Sequence, residues 1–195
     1  MQLFFTLILA HLFADFPLQS NALAQLKKCH LAGVLIHVAI YTAVTALLLD
    51  NRLQYWPLIA GLGLIHFLID AAKMRFSRGN EGTFAFLLDQ LFHLTSMIVA
   101  TYLAHYFWTP APQGILPTDW LLRALPAAFI PAAMVCCWIW TTSSGKPYLQ
   151  QSSLLRWINE RMLLMEQRFG LVVIGGVLWL LVRQEYWRWE TLVWW

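Results

Sequence analysis

The run Leu64-Ile65-His66-Phe67-Leu68-Ile69-Asp70 sets a histidine and an aspartate four residues apart inside an otherwise apolar stretch. On a helix that spacing stacks both side chains on one face, one turn apart. The pairing recurs as His11-x3-Asp15 near the start and, in reverse order, as Asp89-x3-His93, and His37 stands alone in the apolar segment between them. Imidazole and carboxylate are the ligands that zinc and other first-row divalent ions take in hydrolytic sites. The seven groups His11, Asp15, His37, His66, Asp70, Asp89 and His93 are too many for one tetrahedral ion. They suit two ions, or one ion with orienting neighbours and a general base. The expected cofactor is therefore a divalent transition metal, zinc foremost, as one or two ions. In this reading the histidines are ligands, and Asp15, Asp70 and Asp89 are ligands or catalytic bases. Lys73, one turn beyond Asp70, is a further catalytic candidate. With Arg75 it would hold a phosphate or other anionic head group, and Gln90 beside Asp89 would orient the substrate.

The background to these residues is that of a membrane protein. Only 12% of the 195 residues are charged, against about 25% in a soluble domain, and 59% are hydrophobic. The mean hydropathy is +0.59. Ionisable groups in such a setting are costly, so by default they mark a site. Eleven Trp fit the aromatic belts found where a bilayer meets water. The net charge of +3 is small and spread over loops, which argues against a nucleic-acid partner. Cys29, Cys136 and Cys137 form no CxxC and no disulfide framework. The first apolar segment lacks a basic leader and carries His11 and Asp15, so it reads as a retained helix. No HExxH, GxSxG or P-loop motif is present.

The elements that must position the His/Asp set are apolar helices. The pattern predicts an all-α, polytopic membrane bundle of about six transmembrane helices plus one interfacial amphipathic helix. The expected spans are 3–19, 31–49, 57–73, 83–107, 119–141 and 169–184. A polar loop with Lys27, Lys28 and His30 would follow the first, and a Gly79-Asn80 turn with Arg75 and Arg78 the third. Pro126 and Pro131 fall inside the fifth. The segment 152–165 is expected to lie on the membrane surface. Two domains are expected: 1–107 as a four-helix module carrying the site, and 108–195 as two more spans with the amphipathic segment (about 146–168) and a Trp-rich tail.

Nine of the thirteen Lys and Arg, among them Lys27, Lys28, Lys73, Lys146 and Arg168, fall in loops on one side, which predicts that side as cytoplasmic and both termini as outside. With this orientation, at 1.5 Å per residue, the His/Asp groups lie within about 15 Å of the inner boundary. A shared depth is what a common site requires. The expected function is thus a metal-dependent hydrolase or transferase acting on a membrane lipid or amphiphile near the cytoplasmic leaflet. An ion or proton transporter would use the same groups as a relay. A non-catalytic assembly subunit would use them only to bind helices together.

The residues His11-Leu12-Phe13-Ala14-Asp15-Phe16-Pro17-Leu18-Gln19, then Lys27, His37, His66-x3-Asp70-x2-Lys73 and Asp89-Gln90-x2-His93, carry a family resemblance. Over about residues 1–105 the chain resembles the bacterial membrane family catalogued as domain of unknown function 3307. Its pattern reads approximately HLxxDFxLQ, a downstream Lys, H, HxxxDxxK and DQxxH. The resemblance implies a small multi-pass protein of the bacterial inner membrane, with its polar motifs in the first four helices. It implies no particular activity.

Overall fold

The computed structural model describes residues 1–76, 82–143 and 152–193. Seven helices are found among them: α1 (Gln2–Asp15), α2 (Asn21–Cys29), α3 (Leu31–Leu48), α4 (Trp56–Phe76), α5 (Thr83–Phe107), α6 (Thr118–Ser143) and α7 (Ser153–Val193). Helices α3, α4, α5 and α6, and the stretch Arg156–Arg183 of α7, are long and apolar enough to cross a membrane. Their outward faces carry exposed Leu35, Ile36, Leu64, Leu68, Leu91 and Val172. Such a surface belongs in hydrocarbon rather than water. The chain is an all-helical membrane protein.

Helix α1 is the centre of the bundle. Ten of its fourteen residues are buried, and it is apolar on every side, as a helix enclosed by others should be. Leu3, Leu7 and Ala14 pack with Tyr41, Leu58, Leu62 and Met97 of α3, α4 and α5. Leu9, Leu12 and Phe13 pack instead with Leu121, Leu125 and Val177 of α6 and α7. At 14 residues α1 is about 21 Å long, short of the roughly 30 Å of a bilayer core. The 109–114 linker folds back over its start. Gln2 Nε2 donates to the carbonyls of Gly114 (3.1 Å) and Leu116 (2.7 Å), and Ile115 N donates to Leu48 O (2.9 Å). Gly114 faces Thr6 so closely that a Cβ there would collide with its hydroxyl.

Three boundaries differ from the sequence reading. The segment with Lys27 and Lys28 is a helix, not a loop. The Ser20 side chain caps α2 by accepting from Leu23 N at 3.2 Å, and the two lysines in its last turn complement the helix dipole. The first span ends at Asp15, and Phe16–Gln19 form a turn. The amphipathic segment and the last span are one continuous helix, α7, because 153–169 contains neither Gly nor Pro to interrupt it. Pro126 and Pro131 do lie inside α6 as expected. The Gly79-Asn80 turn, Arg78, Lys146 and Trp194-Trp195 lie outside the described residues.

Glycine sets how close two of these helices come. A Cβ on Gly33 of α3 would meet the backbone of Leu26 and Lys27, so α2 lies against α3 main chain to main chain. A Cβ on Gly170 of α7 would likewise meet Pro17, just beyond α1. Both contacts lie at the end of the bundle that holds Asp15, Lys27 and Asp70.

Candidate functional site

Eight buried His, Asp or Glu side chains occur among the described residues: His11, Asp15, His37, His66, Asp70, Asp89, His93 and Glu166. Seven of these are the His/Asp set, delivered by α1, α3, α4 and α5 to one place. The one-turn spacings do what helix geometry requires. His11 Nδ1 is 3.3 Å from Asp15 Oδ1, His66 Nε2 is 3.5 Å from Asp70 Oδ2, and His93 Nε2 is 3.7 Å from Asp89 Oδ1. Three imidazoles surround that of His66, whose ring centroid is 4.1 Å from His93, 5.1 Å from His37 and 5.7 Å from His11.

The tightest part of the cluster is a triangle. His37 Nε2 and His66 Nε2 are 3.0 Å apart, and Asp15 Oδ1 is 3.2 and 3.6 Å from them. Ligands held about 2.0–2.1 Å from a tetrahedral ion are about 3.3–3.4 Å from one another. The triangle therefore has the size of one face of such a site, with the fourth position open. Asp70 Oδ2 also approaches both nitrogens, at 3.6 and 3.5 Å. Two more groupings, His11/His66/His93 and Asp70/Asp89/His93, have ligand atoms within 4.8 Å of one another but are looser, with the Asp70 Oδ1–His93 Nε2 distance at 3.7 Å. His37 Nδ1, His93 Nε2 and Asp70 Oδ1 are buried without a well-formed hydrogen bond. Buried groups of this kind are ordinarily satisfied, and this donor set fits a divalent cation.

Two lysines reach the cluster. Lys27 Nζ of α2 is 2.9 Å from Asp70 Oδ2, and Lys73 Nζ is 2.8 Å from Asp89 Oδ2. Burial opposes the charge on Lys27, but the field of Asp70, aided by Asp15 and Asp89, outweighs it and holds the ammonium above the ordinary lysine value. Gln90 links two groups, with its Oε1 3.1 Å from His11 Nε2 and its Nε2 donating to Asp89 Oδ2 at 3.3 Å. Asp70 and Asp89 thus each have an ammonium partner, whereas among the described residues Asp15 pairs with imidazoles alone. With neutral histidines the cluster carries one net negative charge.

A cleft of about 340 Å³ leads to these groups. Its polar lining includes Gln19, Lys27, Lys73, Asp89, Gln90 and Glu166. Phe16, Phe86, Trp138 and Leu163 form an apolar wall. Polar groups at one end and an apolar wall at the other are what an amphiphile needs. A larger cavity of about 540 Å³ between α6 and α7, lined by Arg123 and Arg183, touches none of the cluster.

All the expected site residues but one meet here. Arg75 is exposed, on a separate surface beside Leu31 and Phe76, and not on the cleft wall. Two residues from Lys73, it points about 200° around α4. Four participants lie outside the expected site set, although two of them, Gln19 and Lys27, stand in the family pattern. Tyr41, one turn beyond His37, stacks on His66 with centroids 4.2 Å apart and planes at 21°. Lys27 enters because α2 is a helix. Glu166 and Gln19 enter through the Gly170–Pro17 contact; one of two glutamates in an amphipathic stretch gives no sequence signal of burial. His30 and His105 are exposed and outside the cluster.

No curated protein and no solved structure matches the chain. The family described as a protein of unknown function (DUF3307) matches residues 3–121, more than half of the chain and the whole of the His/Asp set. The chain belongs to the DUF3307 family.

Proposed function

We propose that the protein is a membrane-embedded, metal-dependent hydrolase whose substrate is a lipid or another amphiphile held in the cleft. The observation that supports this most is the Asp15–His37–His66 triangle, sized for one ion and adjoining a cleft with polar groups and an apolar wall. The net charge argues for one ion rather than two. A single divalent cation takes the cluster from −1 to +1, whereas a second would leave a large uncompensated buried charge. The chemistry such an ion supplies is activation of water near neutral pH and polarisation of the scissile group. Asp70 Oδ1, with no well-formed hydrogen bond, is placed to accept a proton, and Lys27 steadies the other oxygen of the same carboxylate. Lys73 and Gln90, on the cleft wall, hold and orient an anionic or carbonyl-bearing group. Residues 1–107 carry the reacting groups and 108–195 wall the cleft, with the basic end of the bundle at the cytoplasmic leaflet.

One observation favours a second reading. His11 lies between two acceptors, Gln90 Oε1 at 3.1 Å and Asp15 Oδ1 at 3.3 Å, so a second proton on its ring would also neutralise the cluster. That is the arrangement of a proton relay. Elemental analysis of detergent-purified protein kept free of chelators separates the two. The hydrolase reading expects about one equivalent of a divalent transition metal, lost in His66→Ala and Asp15→Asn while both variants remain membrane-inserted. Wild-type protein without metal overturns it, and proton flux in proteoliposomes, abolished in Asp70→Asn, would then establish the relay.

A further inference from the structure

Glu166, 3% exposed, lines the cleft with Oε1 free of any hydrogen bond, and Gln19 Oε1 lines it in the same condition. Three donors of the cleft are engaged elsewhere, Lys27 on Asp70, Lys73 on Asp89 and Gln90 Nε2 on Asp89, and no ion pair to Glu166 is found among the described residues, although Lys28 also lines the cleft. Leaving a carboxylate buried without a partner is costly, and the cost is removed by a ligand that brings both positive charge and N–H groups. The place of Glu166 is built into the fold. It sits one turn before Gly170, the residue whose missing Cβ lets α7 close on Pro17. It also stands beside Leu163 and Trp138, so a charge bound there would have an apolar chain alongside it.

We propose that Glu166, with Gln19, forms an ammonium subsite in the cleft, and that the amphiphile it takes carries a protonated amine in its head group. This rests on the reading of the cleft as an amphiphile site and names its head-group class; it does not depend on a bound ion. Glu166 comes from the part of the chain beyond the family match, whereas Gln19 is the last residue of the HLxxDFxLQ pattern.

The test uses the full-length protein in a neutral maltoside detergent. Dodecylamine and dodecanol are titrated in parallel into wild type and Glu166→Gln by calorimetry, with metal content measured on the same samples. Saturable dodecylamine binding, at least tenfold tighter than dodecanol in wild type and weakened at least tenfold in Glu166→Gln, is expected. Metal content should be the same in both proteins. Equal affinity for amine and alcohol in wild type overturns the proposal whether or not the variant folds, and so does unchanged amine binding in a folded Glu166→Gln. Amine selectivity in protein that holds no metal would leave the subsite standing and overturn the hydrolase reading alone.

Discussion

Replacing Lys27 with Met probes the centre of the cluster from outside the membrane-spanning segments. The ammonium is 2.9 Å from Asp70 Oδ2, and the two side chains are 14% and 0% exposed. Breaking a buried pair from one side costs about 3–5 kcal/mol, because the remaining charge is left uncompensated. Lys27 lies on the cleft wall, where water screens part of the interaction, so the lower end, about 3 kcal/mol, applies. For a chain of this size that lowers Tm by about 6–12 °C. Asp70→Asn should cost less, about 1–2 kcal/mol, since the freed ammonium can turn towards the cleft. The double variant should then be more stable than the sum of the two by about 0.5–3 kcal/mol.

The same substitution has an opposite effect on metal. Lys27→Met removes a positive charge from a carboxylate oxygen 3.6 and 3.5 Å from the two histidine nitrogens, and frees that oxygen as a fourth ligand. Zinc should therefore bind Lys27→Met more tightly than wild type. At a hundredfold excess over Kd it should return about 2.7 kcal/mol of stability. Thermal unfolding in detergent, with chelator and with zinc, reads both effects. An unchanged Tm in Lys27→Met would refute the account of the pair. A zinc-induced shift no larger than that of wild type would refute the placement of the ion beside Asp70.

Other consequences are more local. Gly33→Ala should push α2 from α3 and separate Lys27 from Asp70, costing about 1–3 kcal/mol by overpacking; in the Lys27→Met background the same change should cost less, and equal costs in the two backgrounds would show that Gly33 does not position Lys27. Gln90→Ala removes the partner of His11 Nε2, and because His11 reaches the triangle only through Asp15 it should weaken metal binding by less than the roughly 10–100-fold typical of a ligand's own partner; complete loss in a competition titration would instead place Gln90 in direct contact with the ion. Because the folded-state value of Lys27 is raised, its contribution to stability is fully present below the unfolded lysine value of about 10.4 and is lost as pH rises through the higher folded value. Wild type should thus lose more stability than Lys27→Met in alkaline unfolding, and parallel curves would argue against the pair.

The part of the site that a linear reading reveals is the part written in helical periodicity. His11 and Asp15, His66 and Asp70, and Asp89 and His93 each sit one turn apart, and a common depth predicts that they meet. The same arithmetic, applied one step further, turns Arg75 away from Lys73 and places Tyr41 beneath His37. What periodicity does not carry is contact between helices. Helix α2 has only nine residues and none buried, so its composition looks like a loop until Ser20 caps it and Gly33 lets it dock. Glu166 looks solvated beside Arg161 and Arg168, and only the approach of Gly170 to Pro17 encloses it. The continuity of α7 was obscured by a change of composition, from amphipathic to apolar, that does not interrupt the backbone.

The enclosure of α1 has a consequence for how the protein is made. This helix is synthesised before the other six, yet it is short, holds His11 and Asp15, and has ten of its fourteen residues covered by other helices. Asp15 at its inner end and His11 one turn before it add to the cost of insertion, and fourteen residues have little apolar length to offset that cost. A nascent chain carrying only α1 and α2 should therefore leave α1 outside the hydrocarbon, as a glycosylation or protease-protection assay on truncated chains would report. Stable insertion should begin only once α3 to α6 are available to receive it. Order of synthesis and order of assembly are then reversed, and the helix at the heart of the site is the last to be locked in.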